Sequence, residues 1–237
     1  TELMDAAEEG NTEAVRALLA APGLDVNAVD DDGNAATGDG GTALIHAVRR
    51  DHTATVTALL AAPGLDVNVA TGDGETAFIR AANRGHTETV TALPAAPSLD
   101  VNAVHGHGYT ALVQATEGGH TATVTALLAA PGLEVNAATG DGDTALMTAA
   151  DRGDAETVTA LLAAPGLEVD AADYNGNTAL MLAAYRGHTA TVTALLAAPG
   201  LDKNACENAY MVMATRQERL HGEGYTRNRS RGGARTR

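Results

Sequence analysis

The 237-residue sequence contains one cysteine, Cys206, and no tryptophan, and its only aromatic residues are one phenylalanine and five tyrosines. A lone cysteine excludes an intrachain disulfide and a cysteine-based zinc cluster. No apolar run approaches the roughly 18 residues that a membrane-spanning helix needs. Because 45% of the residues are nevertheless hydrophobic, the composition favours many thin layers of alanine and leucine over one thick core.

Basic residues are also scarce, since fifteen of them stand against thirty acidic residues and give a net charge of -15. The charge is divided unevenly: residues 1–201 carry a net -19, and residues 202–237 carry +4. A body this acidic would repel nucleic acid and anionic membranes. We therefore expect only the C-terminal segment to be able to attract either of them.

The N-terminus, residues 1–5, is acidic and lacks the pattern of a signal peptide. Because it also lacks an initiator methionine, the sequence is compatible with a removed presequence or with a fragment of a longer protein. We expect a cytoplasmic location, with an organellar or nuclear location as the alternative.

A Thr-Ala-Leu or Thr-Ala-Phe motif recurs every 34 residues and is followed each time by a proline turn at the same register. An earlier copy lies within residues 3–27, with seven extra residues before the next one. The motif begins at Thr42, Thr76, Thr110, Thr144 and Thr178. This self-similarity predicts an array over residues 1–206 of about six units. Their approximate ranges are 1–41, 42–75, 76–109, 110–143, 144–177 and 178–206.

One unit, residues 144–177, illustrates the pattern. Thr144 is a typical helix cap, and Gly153 is a typical helix end. A second helix is expected to begin near Ala155 and to stop before Pro165, because proline cannot continue a helix. Each helix has only two or three turns, which is marginal in isolation.

The rest of the unit predicts a short extended stretch at residues 167–170 and a polar, glycine-containing turn at residues 173–177. A single unit cannot bury its own apolar face, so neighbouring units must stack.

This unit resembles the ankyrin repeat. The Thr-Ala-Leu start, the alanine pair 149–150, the Arg-Gly-His turn at 186–188 and the Val-Asn-Ala exit at 101–103 match that family, over about residues 1–204. Two positions depart from it: alanine replaces proline after the capping threonine, and threonine replaces an apolar residue before the valine of the second helix in five copies. The resemblance implies an all-α repeat solenoid, an ankyrin-type stack of helix-turn-helix units with β-hairpin loops.

Several motifs could carry other chemistry. Four Gly-x-Gly matches recur at the repeat period, which is typical of a turn element and not of a nucleotide site. The resemblance implies that each recurring histidine makes a structural hydrogen bond with the neighbouring loop. The pair His105 and His107 could share a metal but lacks an evident third ligand, and the acidic residues 30–34 are expected to form a solvated hairpin tip. The recurring histidines are His52, His86, His120 and His188.

No arrangement of residues supports covalent catalysis, and Cys206 is expected to be an incidental thiol. We therefore predict no enzymatic activity, no cofactor and no metal site.

The resemblance implies binding of another protein through the hairpin tips and the concave face of the first helices. Tyrosine and arginine are common interface anchors, and an acidic surface favours a partner with a basic or mixed-charge patch. We predict a monomeric array that is a non-catalytic interaction module or a peripheral scaffold subunit of a larger assembly. The predicted contact residues are His105, His107, Tyr109, Arg152, Tyr174, Tyr185 and Arg186.

The C-terminal region is predicted to contain a capping helix at residues 207–221 and a basic Arg/Gly tail at residues 222–237 that is flexible unless bound. The tail suggests an alternative function, as an adaptor to nucleic acid or to an anionic membrane, and the acidic body itself is a further candidate partner. Its predicted contact residues are Arg227, Arg229, Arg231, Arg235 and Arg237.

The third unit is expected to be the weakest. Pro94 replaces the second leucine of the Leu-Leu pair found in the other units, and Ser98 replaces the glycine of the following turn. An interior proline costs about 3 kcal/mol, less near a helix end.

Overall fold

The computed structural model describes residues 1–29 and 41–202. The predictions for the acidic residues 30–34, for Cys206, for the capping helix at residues 207–221 and for the basic tail lie outside the described residues.

The described residues form a stack of six helix pairs. The first helices contact one another in one layer, the second helices contact one another in a second layer, and the helices of a pair contact each other. The first helices are α1 (Glu2–Glu8), α3 (Ala43–Arg49), α5 (Ala77–Asn83), α7 (Ala111–Glu117), α9 (Ala145–Arg152) and α11 (Ala179–Arg186). The second helices are α2 (Thr12–Leu19), α4 (Thr53–Leu60), α6 (Thr87–Ala92), α8 (Thr121–Leu128), α10 (Ala155–Leu162) and α12 (Thr189–Leu196). The predicted all-α repeat solenoid is confirmed.

The recurring threonines fix where the first helices begin. Each hydroxyl accepts a hydrogen bond from the amide three residues on, as Thr144 does from Met147 at 3.4 Å. The predicted helix end at Gly153 is also confirmed, because this residue has a φ of 76°, in the left-handed region that glycine enters without a steric penalty. The caps that share this geometry are Thr42, Thr76, Thr110, Thr144 and Thr178.

The core is a thin layer between helix pairs. In the fifth unit Leu146 and Ala149 of α9 are fully buried together with Val158 and Leu161 of α10. Small alanine side chains let successive layers approach closely, which is why so few aromatic residues suffice.

Hairpins join consecutive units. Strands β1 (Val104–His105) and β2 (Tyr109–Thr110) pair antiparallel, with His105 opposite Tyr109. Isolated bridges hold the equivalent loops elsewhere, for example Ala138 with Thr144. The prediction of an extended stretch at residues 167–170 is wrong for residues 169–170, which form a turn in which the amide of Ala171 donates to the carbonyl of Glu168 at 3.3 Å.

A row of threonine hydroxyls links the second helices. The threonine that precedes the valine in these helices is buried, as Thr157 and Thr191 are. Four of the five buried hydroxyls share a hydrogen bond with the first residue of the preceding second helix, at 2.8 to 3.1 Å, and that of Thr191 does not. The pairs are Thr12–Thr55, Thr53–Thr89, Thr87–Thr123 and Thr121–Thr157.

A row of asparagines links the loops on the other side of the second helices. Asn136 donates its side-chain amide to the carbonyl of Gly166 at 2.8 Å and accepts from the amide of Glu168 at 2.9 Å. The same two bonds recur at three other units. The asparagines of the row are Asn27, Asn68, Asn102 and Asn136.

The recurring histidines donate to the preceding unit, which confirms their predicted structural role. The ring of His120 donates to the carbonyl of Asn83 at 3.0 Å, and that of His188 donates to the carbonyl of Asp151 at 3.0 Å. A Cβ atom at Gly85 would lie 2.6 Å from the ring of His120. Glycine there makes room for the histidine of the next unit.

The third unit departs from the others where the sequence predicts it. Helix α6 ends at Ala92 and continues as a single 3₁₀ turn, Leu93–Ala95, that contains Pro94. Helix α8 of the next unit is two residues longer because nothing interrupts it. Leu93 is still fully buried, so the shortened helix keeps its main core contact.

Candidate interaction groove

A cavity of about 480 Å³ lies between the hairpins and the first helices of the last three units. Met147 and Leu182 give it apolar walls, and most of its remaining lining is polar. We call this cavity the groove. Its lining residues are Tyr109, Glu117, Thr139, Asp143, Met147, Thr148, Asp151, Arg152, Asp173 and Leu182.

The repeat places these side chains together. Tyr109 and Asp143 occupy the same position in successive units, immediately before the capping residues Thr110 and Thr144, so both extend from hairpins on the same side of the stack. Glu117 ends α7 and Arg152 ends α9. The groove therefore receives one group of residues from loops and another from helix ends.

The groove is strongly acidic, since four carboxylates and one guanidinium line it. Two of the carboxylates are already engaged. Asp151 binds the guanidinium of Arg186 through two contacts of 2.7 and 2.9 Å, and this ion pair raises the pKa of Arg186. Asp173 accepts hydrogen bonds from Asn175 and Asn177, which lower its pKa although burial acts in the opposite direction.

The other two carboxylates, those of Glu117 and Asp143, accept no hydrogen bond from any other residue in the described part of the chain. Burial raises the pKa of Asp143, and the nearby negative charges of Asp173, Asp141 and Asp151 raise it further. A carboxylate held in this way is stabilised by an incoming cation more than an isolated surface carboxylate would be.

Of the predicted contact residues, Tyr109 and Arg152 line the groove. No hydrogen bond or ion pair joins Arg152 to another described residue, so its guanidinium is available to a ligand. His105 lies behind Tyr109, with ring centroids 5.9 Å apart, and is held by the side chain of Gln114 at 2.7 Å.

The remaining predicted contact residues lie outside the lining. Arg186 is committed to Asp151, as described above, which gives it a role within the stack. His107 is exposed at the β1–β2 tip. Tyr174 is 80% exposed on the hairpin between the fifth and sixth units, and Tyr185 is 50% exposed near the end of α11.

Sequence analysis did not select the acidic members of the groove as site residues. Asp143 shares its repeat position with Tyr109, and this register is the signal that identifies it. Asp173 likewise shares its repeat position with His105 and Thr139, so the same register identifies it.

Within residues 1–29 and 41–202, His, Cys, Asp and Glu side chains form no group of three or more suited to a metal ion. The helices of the same ranges are all too short or too polar to cross a membrane. The predicted tail contacts, Arg227 to Arg237, lie outside the described residues.

The comparisons with known proteins agree with this architecture. A family model described as ankyrin repeats (3 copies) matches residues 3–104, 54–139 and 131–206. No curated protein sequence is significantly similar to the chain.

Among solved structures, the ankyrin repeat domain of Bcl-3, a member of the IkappaB protein family, is 28% identical with a TM-score of 0.75, over 85% of this chain and 87% of that one. An ankyrin repeat domain from Acinetobacter baumannii AYE is 30% identical with a TM-score of 0.72, over 83% and 96%. The ankyrin repeat protein EF0377 is 26% identical with a TM-score of 0.73, also over 83% and 96%. The overlapping family matches span residues 3–206 without a gap, and the chain therefore belongs to the ankyrin repeat family.

Proposed function

We propose that the chain is a non-catalytic protein–protein interaction module whose groove, between the hairpins and first helices of the last three units, receives the partner. Ankyrin repeats are generally interaction modules and typically lack enzymatic activity. The observation that carries the proposal is the cavity in which the free guanidinium of Arg152 and the ring of Tyr109 lie beside unpaired carboxylates.

The charge of the groove supports a partner with a basic or mixed-charge patch. Glu117 and Asp143 lack partners among the described residues, and the body around them carries a large negative net charge. Such a field speeds the approach of a basic surface and weakens at high ionic strength.

Aromatic side chains next to the groove supply the apolar part of the contact. Tyr174 and Tyr185 are well exposed, and a tyrosine ring offers a rigid apolar surface with a polar end at little cost in entropy. This arrangement suits a peripheral subunit that presents its hairpin side to a larger assembly.

The test is affinity capture with the full chain as bait. The combined variant Arg152→Ala and Tyr174→Ala removes two exposed contact groups. Its matched control is Thr159→Ala and Thr193→Ala, two exposed threonines of the second helices whose hydroxyls bond only within their own helix. Captured proteins are identified by mass spectrometry, and the affinity is then measured with the purified partner.

We expect the groove variant to weaken binding by at least about 30-fold, which corresponds to one hot-spot residue of about 2 kcal/mol. The control variant should bind as the native chain does. Undiminished binding by the groove variant, with binding lost in the control, would assign the interface to the opposite face of the stack.

The adaptor alternative depends on the arginines of residues 222–237. No contact in the described residues favours nucleic acid or membrane over a protein partner.

A further inference from the structure

The charge of the groove is not balanced by the residues that form it. Arg152 is the one basic residue in its lining, against four acidic residues. The guanidinium of Arg186, on the rim, is paired with Asp151 through two hydrogen bonds. Glu117 and Asp143 therefore remain without a cationic partner in the described part of the chain.

The sequence contains a segment of complementary charge. Residues 226–237 carry five arginines and no acidic residue, whereas residues 1–201 contain only seven basic residues in all. Arginine suits such a groove because its planar guanidinium binds a carboxylate through two parallel hydrogen bonds. The pairing of Arg186 with Asp151 shows this geometry at the rim of the groove itself.

The segment is long enough to reach the groove. Asp202 belongs to the last unit, and 24 residues separate it from Arg227. With the capping helix predicted at residues 207–221, these residues span about 22 Å in the helix and up to about 30 Å in the other nine residues. The last three units, stacked about 10 Å apart, are about 30 Å long, so the segment reaches the groove.

Tethering strengthens a contact of this kind. A segment joined to its binding site by a short linker has an effective concentration on the order of millimolar. An affinity too weak to be useful between separate molecules is then sufficient to keep the site occupied.

We propose that residues 226–237 bind in the groove, with arginine side chains on Glu117 and Asp143, and compete there with the protein partner. The competition with a partner rests on the proposed function: if the groove receives the partner, a tail bound there inhibits partner binding. Partner binding then requires displacement of the tail.

The test compares two full-length chains, the native one and a tail-neutralised one. The tail-neutralised chain carries Arg227→Gln, Arg229→Gln, Arg231→Gln, Arg235→Gln and Arg237→Gln. The probe is a fluorescently labelled synthetic peptide of residues 226–237, whose binding is followed by anisotropy at low ionic strength. Circular dichroism verifies that both chains are folded.

We expect the peptide to bind the tail-neutralised chain at least about tenfold more tightly than the native chain, because the native tail already fills the groove. Equal affinity for the two chains, or no binding to either, would overturn the proposal.

A second comparison locates the site on the tail-neutralised chain. Glu117→Gln with Asp143→Asn should weaken peptide binding at least about fivefold, since it removes the two unpaired charges. The matched control, Glu134→Gln with Glu168→Gln, removes two exposed charges outside the groove and should leave the affinity within about twofold. Equal losses in both pairs would show general attraction to an acidic body and would overturn the assignment to the groove.

These results are independent of the capture experiment. If the peptide does not bind but the Arg152 and Tyr174 variant still loses the partner, the proposed function stands and self-inhibition does not. If the peptide binds in the groove but the Arg152 and Tyr174 variant binds the partner as the native chain does, the tail contact stands and the proposed partner site does not.

Discussion

Helices α8 and α12 have the same sequence, Thr-Ala-Thr-Val-Thr-Ala-Leu-Leu, but different surroundings. In α8 the valine, Val124, is fully buried and the hydroxyl of Thr123 bonds to Thr87. In α12 the valine is only half-buried, Leu196 is 49% exposed, and the buried hydroxyl of Thr191 has no partner among the described residues. Since the local sequence is identical, the difference arises from the neighbouring units.

Two substitutions in the fifth unit account for the polar part of this difference. Ala155 stands where the preceding second helices begin with threonine, so nothing there bonds to Thr191. Asp170 stands in the asparagine row; its Oδ2 accepts from the amide of Asp202 at 2.7 Å, but its Oδ1 is buried and has no partner in residues 1–29 and 41–202. A buried polar group left unpaired costs about 1 to 3 kcal/mol, so the last interface is weaker than the one before it.

Restoring the hydrogen-bond partners of Thr191 and of the loop at Asp202 should remove the polar part of the difference between α8 and α12. This change has the largest expected effect. The combined variant Ala155→Thr and Asp170→Asn recreates the hydroxyl pair and the two-bond asparagine clamp. We expect it to stabilise the last unit by about 2 kcal/mol, seen as slower amide exchange in α12. Ala190→Thr, which adds a hydroxyl at an exposed position of the same helix, is the control and should give no gain. A gain of the same size from the control would refute the role of the paired groups.

A defect of a different kind, within one helix, provides the next comparison. Pro94→Leu should extend α6 to the length of α8, because it restores a backbone donor and removes the clash of the proline ring. We expect a gain of about 1 to 2 kcal/mol, with slower exchange over residues 87–100 and no change over residues 121–134. In the native chain the first range should exchange faster than the second, and equal protection there would contradict the prediction.

Removing the unpaired hydroxyl directly isolates its cost. Thr191→Val keeps the shape of the side chain and should stabilise the chain by about 1 kcal/mol, measured by chemical denaturation. In this background Ala155→Thr should add no stability, because its partner is gone. The same change in the complete interface, Thr157→Val, should be destabilising, since Thr157 bonds to both Thr121 and Asp154. Effects of the same sign at the two positions would argue against this explanation.

The first interface contains a cluster of charged side chains, and its strength should therefore depend on pH. Glu8 of α1 accepts from Arg49 and Arg50, each at 2.9 Å. The hydrogen bond from Arg50 lowers the pKa of Glu8 below its ordinary value of 4.5, although burial acts to raise it. The charges of Arg49 and His46 lower this pKa further. Ionised Glu8 therefore stabilises the folded state at pH values above the pKa that Glu8 has in the unfolded chain. This stabilisation is lost as the pH falls through the lower pKa that Glu8 has in the folded chain.

For a partly exposed pair this contribution is a few tenths of a kcal/mol. We expect Glu8→Gln to remove this contribution. Protection of the α1 amides from exchange, which in the native chain declines between about pH 5 and 3 as Glu8 is protonated, should then lose that part of its decline. Amides of α12 should be indifferent to the substitution. An unchanged pH profile for α1 in the variant would show that the ion pair contributes nothing.

The repeat made much of the stack predictable from the sequence. Thr144, Gly153 and the histidine row each recur at a fixed register and act locally or on the adjacent unit. The turn at residues 169–170, closed by the amide of Ala171 on the carbonyl of Glu168, was not predicted because the apolar and acidic residues of 167–170 alternate as in a strand.

The groove and the threonine row lie beyond such reasoning for a common reason. Thr157 stands at a family position that is normally apolar, and its partner Thr121 is 36 residues away in the preceding unit. Asp143 shares its repeat position with Tyr109, but its proximity to the helix end at Glu117 depends on how neighbouring units stack. Contacts of this kind are identified only when neighbouring units are placed side by side.

The most direct test of the claim that neighbours, and not local sequence, set stability is amide exchange in the native chain. Because α8 and α12 share all eight residues, their intrinsic exchange rates are closely matched, and the ratio of observed rates reports context. We predict that the α12 amides exchange at least about tenfold faster than those of α8. Equal protection of the two helices would contradict it.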